Sequence, residues 1–238
     1  IYSDSTDTSK YLKNKFKDNT ELNILSDKYE LEELLNSDSV DIIVSAVSGF
    51  AGLETTLIAA KTGKTILLAN KESVVVAGEI VLPLAKKHNT QIIPIDSEHN
   101  AIFQCLNSDK TTDDVSKIVI TASGGPFLNR SISELSQVTK DEALNHPNWE
   151  MGAKITIDSA SLVNKCLELI EARYLFNLNE SFFDIVVHPQ SIIHSIICRM
   201  PAARRDAKQP CSMETTMEIT MRKQPWKQQA AEIDQSSQ

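Results

Sequence analysis

Asp96 and Glu98 stand one residue apart directly behind the apolar run Ile92–Ile93–Pro94–Ile95. On an extended backbone, side chains i and i+2 share one side. The pair can therefore offer oxygens to a hard divalent cation, which prefers such ligands and leaves positions open for substrate oxygens. The same residues have a purely architectural use, with Asp96 and Ser97 capping the next helix and Glu98 complementing its dipole. A second group, Ser161, Asn164, Lys165 and Glu168, falls at i, i+3, i+4 and i+7 and forms one polar stripe on a helix. An amide and an ammonium beside a carboxylate can hold a phosphate next to a metal. The alternative is a solvated face carrying a Lys165/Glu168 ion pair worth about 0.3 kcal/mol.

Two further groups follow apolar runs. Thr121–Ala122–Ser123–Gly124–Gly125–Pro126–Phe127 offers a Ser-Gly-Gly turn whose N–H groups and hydroxyl suit an anion, though Gly-Gly-Pro is also an ordinary turn. Asn70, Lys71 and Glu72 precede Ser73 and read either as an amide, a cation and a carboxylate at a strand end, or as a helix start capped by Ser73. The loop His146–Gly152 adds a histidine and Trp149. An exposed Trp there suits a lid that excludes water; packing under a neighbouring loop is the other reading.

All four groups lie at strand ends or on the helix just after, where doubly wound sheets place their ligand crevice. Short β-branched runs alternating with helical patterns predict that architecture. The strands are expected at Val40–Ala46, Thr65–Ala69, Gln91–Ile95, Lys117–Thr121, Phe183–His188 and Ser191–Cys198. Helices are expected over Leu53–Thr62, ending at Gly63, and over Ser73–His88, broken near Pro83. Two short helices begin at Ser131 and Thr139, and a long one, capped by Asp158, runs to Phe176 with Leu162, Val163, Cys166, Leu167 and Ile170 on its buried side. The fold class is α/β: a partial doubly wound parallel sheet, Rossmann-like, over 1–106, an α+β catalytic domain over 107–198, and an unstructured tail over 199–238. Residues 107–116 read as a polar linker. From Met200 to Gln238 there is no Leu, Val or Gly, and six Gln and four of the five Met fall there, so that segment can bury little apolar surface.

The formal charge of -8 argues against a nucleic-acid surface, which needs clustered Lys and Arg. No apolar stretch is long enough to span a membrane. Cys105, Cys166, Cys198 and Cys211 are far apart, which fits reduced thiols rather than zinc or a disulfide framework, and two of them lie in apolar runs expected in the core.

Five ordered blocks, LANKESVVVAG (68–78), PIDSEHNAIFQCL (94–106), ITASGGPF (120–127), HPNWEMGAKITIDSASLVNKCLELIEARYLF (146–176) and VVHPQSIIHS (186–195), together resemble 1-deoxy-D-xylulose 5-phosphate reductoisomerase. The resemblance implies that Asp96, Glu98 and Glu168 bind Mg²⁺ or Mn²⁺. It implies that Ser97, Ser123, His146, Ser159, Asn164 and Lys165, with Lys71 and the two glutamates, hold a sugar-phosphate substrate. Lys71, Glu98 and His146 are its expected catalytic residues. Asn70, Glu72 and Gly152 would line NADPH, with Trp149 on a mobile flap. The implied reaction converts 1-deoxy-D-xylulose 5-phosphate to 2-C-methyl-D-erythritol 4-phosphate in non-mevalonate isoprenoid synthesis. The implied setting is a homodimer in the bacterial cytoplasm or a plastid-type organelle, with no nucleic-acid or membrane partner.

Departures lie within the helix block, where Cys166 replaces a typical Gly and Leu162–Val163 a Met pair, and at the ends. The first glycine is Gly49, behind an internal strand, and no glycine-rich GxTGxxG fingerprint is found. The start at Ile1 without Met is expected to mark a truncated or processed start, and the unfamiliar sequence from Arg199 a frameshifted or misassembled gene end. The chain is expected to be a fragment that lacks the family's nucleotide-binding fingerprint and its C-terminal domain. The alternative function is a non-catalytic remnant that keeps metal and sugar-phosphate binding.

Overall fold

The computed structural model describes residues 1–3, 5–106, 112–200 and 216–221. The chain divides into two units, residues 1–96 with 170–177 and residues 97–169 with 178–238.

The first unit opens with α1 (Thr6–Lys15), capped by the Ser5 hydroxyl, and α2 (Lys28–Asn36), capped by Asp27, which accepts from the Tyr29 and Glu30 amides. Three parallel strands follow in spatial order β1 (Ile42–Ser45), β2 (Thr65–Leu68) and β3 (Gln91–Pro94), with Ile43 opposite Ile66 and Ile66 opposite Ile92. Helix α3 (Gly52–Ala59) connects β1 to β2, and α4 (Lys71–Lys87) connects β2 to β3. Side chains alternate across a strand. Ile43, Ile66 and Leu68 therefore point into one core with Leu31, Leu35, Ala59, Ala60, Val74 and Ala85, while Ile42 and Val44 face outward and are exposed. The expected break in α4 is displaced. Pro83 sits inside the helix, and the non-helical residue is Ala77, directly before Gly78. A Cβ on Gly78 would lie 2.7 Å from the Tyr174 ring, so ring packing, not the proline, marks the irregular turn.

In the second unit, α5 (Ser97–Leu106) precedes β4 (Val115–Ala122), then come the short α6 (Ile132–Leu135) and α7 (Lys140–Leu144). Ser131 and Thr139 head these two helices with complete capping boxes to Glu134 and Glu142. Next are α8 (Ala153–Ala160), α9 (Val163–Phe176), β5 (Phe183–Val187), β6 (Ile193–Arg199) and β7 (Thr216–Met221). The sheet order is β5-β4-β6-β7, with β4 and β5 parallel and the other pairs antiparallel. Val115, Ile118, Ile120 and Ile197 are fully buried at its centre. Arg199 at the end of β6 reaches Asp114 at 2.5 Å and the Cys105 carbonyl at 3.2 Å. The division between units falls inside α9.

Three expectations change. Asp158 does not cap a long helix: it lies within α8, paired to Lys154 at 2.6 Å, and the helical run is broken at Leu162, whose φ is 60°. The apolar side of α9 is not buried: Leu162, Val163, Cys166 and Ile170 are exposed, while Lys165 and Glu168 are buried. Two of the four cysteines were expected in the core, but none of the three described is fully buried: Cys105 and Cys198 are half-buried and Cys166 is exposed, while Cys211 lies outside the described residues. Residues 107–111 of the polar linker and most of the tail also lie outside them; the rest of the linker is a 3-10 turn at Thr112–Asp114 and the start of β4 at Val115, and Thr216–Met221 forms a strand paired along β6.

Candidate functional site

The buried polar face of α9 carries a compact ionic group. Lys165 Nζ lies 3.0 Å from Glu98 Oε1 and 2.5 Å from Glu168 Oε2, with the Lys165 and Glu168 side chains only 8% and 2% exposed. Asn164 Nδ2 donates to Glu168 Oε1 at 2.5 Å. Burial works against the Lys165 charge, but Glu168 and Glu98 outweigh it and hold the ammonium above its ordinary value. The two carboxylates converge on one cation, so the donor set is all oxygen and within reach of a single charge, which suits a hard divalent ion. Glu98 sits in the first turn of α5, where its backbone carbonyl accepts from Ser195 Oγ at 3.0 Å and its carboxylate from Ser97 Oγ at 2.5 Å. His99, fully buried, places Nε2 2.9 Å from the Glu168 carbonyl and ties α5 to α9.

Sequence reasoning had passed over His99. It shares the buried side of α5 with Ile102, three residues on, and that i, i+3 spacing was its only signal.

The Ser-Gly-Gly turn follows β4. Gly124 and Gly125 have φ of 89° and 69°, a region open to glycine at little cost. A Cβ on Gly125 would meet the Ser159 carbonyl at 2.8 Å, so the turn lies directly on the last turn of α8. The Gly125 N–H does not face outward as an anion donor; it is spent on Ser123 Oγ at 3.2 Å. Ser123 Oγ also lies 3.0 Å from His146 Nε2. The other ring nitrogen of His146 accepts the backbone N–H groups of Asn148 at 3.1 Å and Trp149 at 3.0 Å, and burial pulls the ring's pKa down. Asn148 Nδ2 donates to the Pro189 carbonyl at 2.6 Å, fastening this loop to the segment before β6. Asn148 is a second residue that sequence reasoning passed over. Trp149 is half-buried rather than exposed, with its ring 6.3 Å from that of His194. Gly152 caps α8, and nothing lies within 4 Å of where a Cβ would stand.

In the first unit, Lys71 and Asp96 pair at 2.6 Å, with side chains 7% and 10% exposed. Asn70, not Ser73, caps α4. Its Oδ1 accepts from the Ser73 amide and hydroxyl, and its Nδ2 donates to the carbonyls of Val47 at 2.6 Å and Gly49 at 2.9 Å and to Glu72 Oε2 at 3.1 Å. Its amide is thus committed to joining the loops behind β1 and β2. The second unit brings together Glu98, Asn164, Lys165 and Glu168, and separately Ser123 with His146 beside Ser159; the first holds Asn70, Lys71, Glu72 and Asp96. Ser161, expected on the polar stripe, instead ends α8 and is exposed. Among the described residues no helix is long and apolar enough to cross a membrane.

Comparison with known proteins gives a consistent result. Residues 1–78 match the family model for 1-deoxy-D-xylulose 5-phosphate reductoisomerase, and residues 92–176 match the one for that enzyme's C-terminal domain. The 1-deoxy-D-xylulose 5-phosphate reductoisomerase of Francisella tularensis subsp. novicida (strain U112) is 49% identical over 180 residues, and that of Acinetobacter baumannii (strain ATCC 17978) is 50% identical over 186. In both cases the match covers 75% of this chain and 47% of the relative, so the chain spans about half the length of these relatives. Among solved structures, a DOX-P reductoisomerase in complex with magnesium superposes with a TM-score of 0.75 at 39% identity, covering 96% of this chain and 55% of that one. The Zymomonas mobilis enzyme in complex with NADPH gives 0.74 at 37% identity, covering 94% and 53%. A complex with NADPH, fosmidomycin and magnesium gives 0.72 at 38%, covering 95% and 64%. With its buried acid-and-lysine cluster and these matches along most of its length, the chain belongs to the 1-deoxy-D-xylulose 5-phosphate reductoisomerase family.

Proposed function

We propose that the chain carries the metal- and phosphate-binding part of an enzyme that rearranges 1-deoxy-D-xylulose 5-phosphate and reduces it to 2-C-methyl-D-erythritol 4-phosphate for non-mevalonate isoprenoid synthesis. The observation that carries this reading is the burial of Lys165 and Glu168 on α9 while the apolar side of the same helix is exposed. A helix kept for packing alone would bury the other face. Glu98 and Glu168, with Asp96 two residues before Glu98 in the chain, would hold Mg²⁺ or Mn²⁺, which supplies Lewis acidity toward the substrate's carbonyl and hydroxyl oxygens. Lys165 and Asn164 would grip the phosphate together with Ser123 and Ser159, and His146 would steady Ser123. Binding energy at that remote group positions the reacting carbons. Ser97, at the head of α5, would offer its hydroxyl to a substrate oxygen, and Lys71 would compensate the Asp96 charge.

NADPH would supply the hydride, and Glu72 and Gly152 would line it. The Asn70 side chain, spent on loop carbonyls and the α4 cap, would shape that wall rather than touch the nucleotide. The bacterial relatives support a cytoplasmic setting, and a homodimer is the proposed assembly. Mn²⁺ titration by calorimetry tests the reading: Glu168→Gln should weaken binding at least about tenfold, or about 1.4 kcal/mol. Unchanged affinity would overturn it.

A further inference from the structure

We infer that the backbone of the loop following His146 locks its ring in the Nε2–H form, and that this lock leaves the Ser123 hydroxyl able only to donate toward a bound anion. The donors whose direction is fixed decide the tautomer. Two main-chain N–H groups, those of Asn148 and Trp149, converge on Nδ1 at 3.1 and 3.0 Å. An N–H donates and never accepts, so Nδ1 must carry its lone pair there. A proton on Nδ1, whether in the other neutral tautomer or in the imidazolium, would face two donors head-on. The remaining neutral form has its proton on Nε2, pointing at Ser123 Oγ 3.0 Å away.

Ser123 Oγ then accepts twice, from His146 Nε2–H and from the Gly125 N–H at 3.2 Å. A hydroxyl has two acceptor positions and one donor. Both acceptor positions are filled, so the O–H proton is left for a third partner. A phosphate oxygen, an acceptor with no proton to offer, matches that vacancy in the hydrogen-bond inventory. A hydroxyl free to rotate would have to be ordered on binding, whereas this one is set beforehand. His146 is thus a positioning residue for Ser123, and Asn148 is the fastener, since its side chain holds the loop to the Pro189 carbonyl at 2.6 Å. The turn resembles the side-chain-to-backbone caps made by Asp and Asn, in which residue i accepts from i+2 and i+3. Here an imidazole takes that role, and the bond fixes its tautomer.

The donor role of Ser123 rests on the phosphate site proposed above, but the tautomer does not, so the experiment separates the two. The ¹⁵N signals of the His146 ring, assigned by their loss in His146→Gln, report which nitrogen is protonated in the full chain at neutral pH without any ligand. A protonated Nε2 with a bare Nδ1 is expected; a protonated Nδ1 overturns the inference. Asn148→Ala should shift part of the population toward the other tautomer, and an unchanged spectrum would remove Asn148 from its fastening role. Binding of inorganic phosphate is then measured by calorimetry. Gln can place an amide N–H near the position of Nε2 and Asn cannot, so His146→Gln should bind within about tenfold of wild type, and His146→Asn and Ser123→Ala about tenfold or more weaker. If the tautomer is as expected but Ser123→Ala binds phosphate like wild type, the phosphate site fails and the donor role of Ser123 with it, while the ring lock stands.

Discussion

Lys71 Nζ sits 2.6 Å from Asp96 Oδ2, with both side chains about nine-tenths buried or more. Removing the ammonium leaves a carboxylate in a poorly hydrated place, which typically costs about 3–5 kcal/mol. Lys71→Met should therefore lower the free energy of unfolding in urea by about that amount. If Asp96 takes part in holding a divalent cation, saturating Mn²⁺ should recover a larger share of stability in this variant than in wild type, because the metal replaces the missing positive charge. Equal Mn²⁺ effects on the two proteins would separate Asp96 from the metal.

Lys165 gives a pH signature. Burial lowers its tendency to stay charged, but Glu168 and Glu98 more than compensate, so its folded-state pKa lies above the ordinary value of 10.5. A raised folded pKa means that its stabilising contribution is complete below the unfolded value and is lost as pH rises through the folded one. Stability should thus show no Lys165-dependent change across neutral pH and fall above about 10.5. In Lys165→Met that alkaline component should be gone, read as the difference between the two urea-unfolding profiles. A difference profile that stays flat as pH rises above about 10.5 would mean that the ammonium is not held by its two glutamates.

Glu142 titrates at the other extreme. The Thr139 amide, Arg130 and the Thr139 hydroxyl, in that order, bring its carboxyl down to about 2. A depressed folded pKa makes its contribution full above the unfolded value and lost as pH falls through about 2. Carboxyl NMR titration should place Glu142 at about 2. Thr139→Ala removes only the hydroxyl, so it should raise that value without returning it to the ordinary range.

Much of the first unit was legible because local and tertiary signals agree there. Ile42–Ser45, Thr65–Leu68 and Gln91–Pro94 are β-branched or apolar runs bounded by turn residues, and each strand falls within its expected range. Ser131 and Thr139 were readable for the same reason, since a capping box is written within four residues. The break at Leu162 was not, because nothing between Asp158 and Phe176 is a glycine or proline and the left-handed residue is a leucine. The inverted face of α9 failed for a different cause. Amphipathic reading assumes that apolar means inward, whereas here Lys165 and Glu168 are buried with their partners and the apolar side is left outside. The pairing of Ser123 with His146 spans 23 residues, and no periodicity carries information over that distance; only the resemblance placed both on one ligand. Asn70 displaced Ser73 as the cap because its amide can also reach the loop carbonyls of Val47 and Gly49.

The glycines of the second unit allow a paired test. Gly125 has φ of 69°, and a Cβ there would lie 2.8 Å from the Ser159 carbonyl oxygen and 3.2 Å from Ala160 Cα. Both obstacles are backbone, so neither can swing aside. Gly125→Ala should cost about 1–3 kcal/mol from the left-handed conformation alone, with the clash adding to it. Relief can come only by moving the turn off the end of α8, which carries the Gly125 N–H away from Ser123 Oγ and loosens the hydroxyl that His146 holds from the other side. Phosphate binding by the folded fraction should therefore weaken along with stability. Gly152 is the control: its φ is -59° and nothing lies within 4 Å of an added Cβ, so Gly152→Ala should change stability by no more than about 0.5 kcal/mol. Urea unfolding of both variants, with phosphate calorimetry under conditions where each is folded, reads the contrast. Equal stability losses at the two positions would mean that the turn does not rest on α8, and unchanged phosphate affinity in a strained but folded Gly125→Ala would detach the Ser-Gly-Gly turn from the anion site.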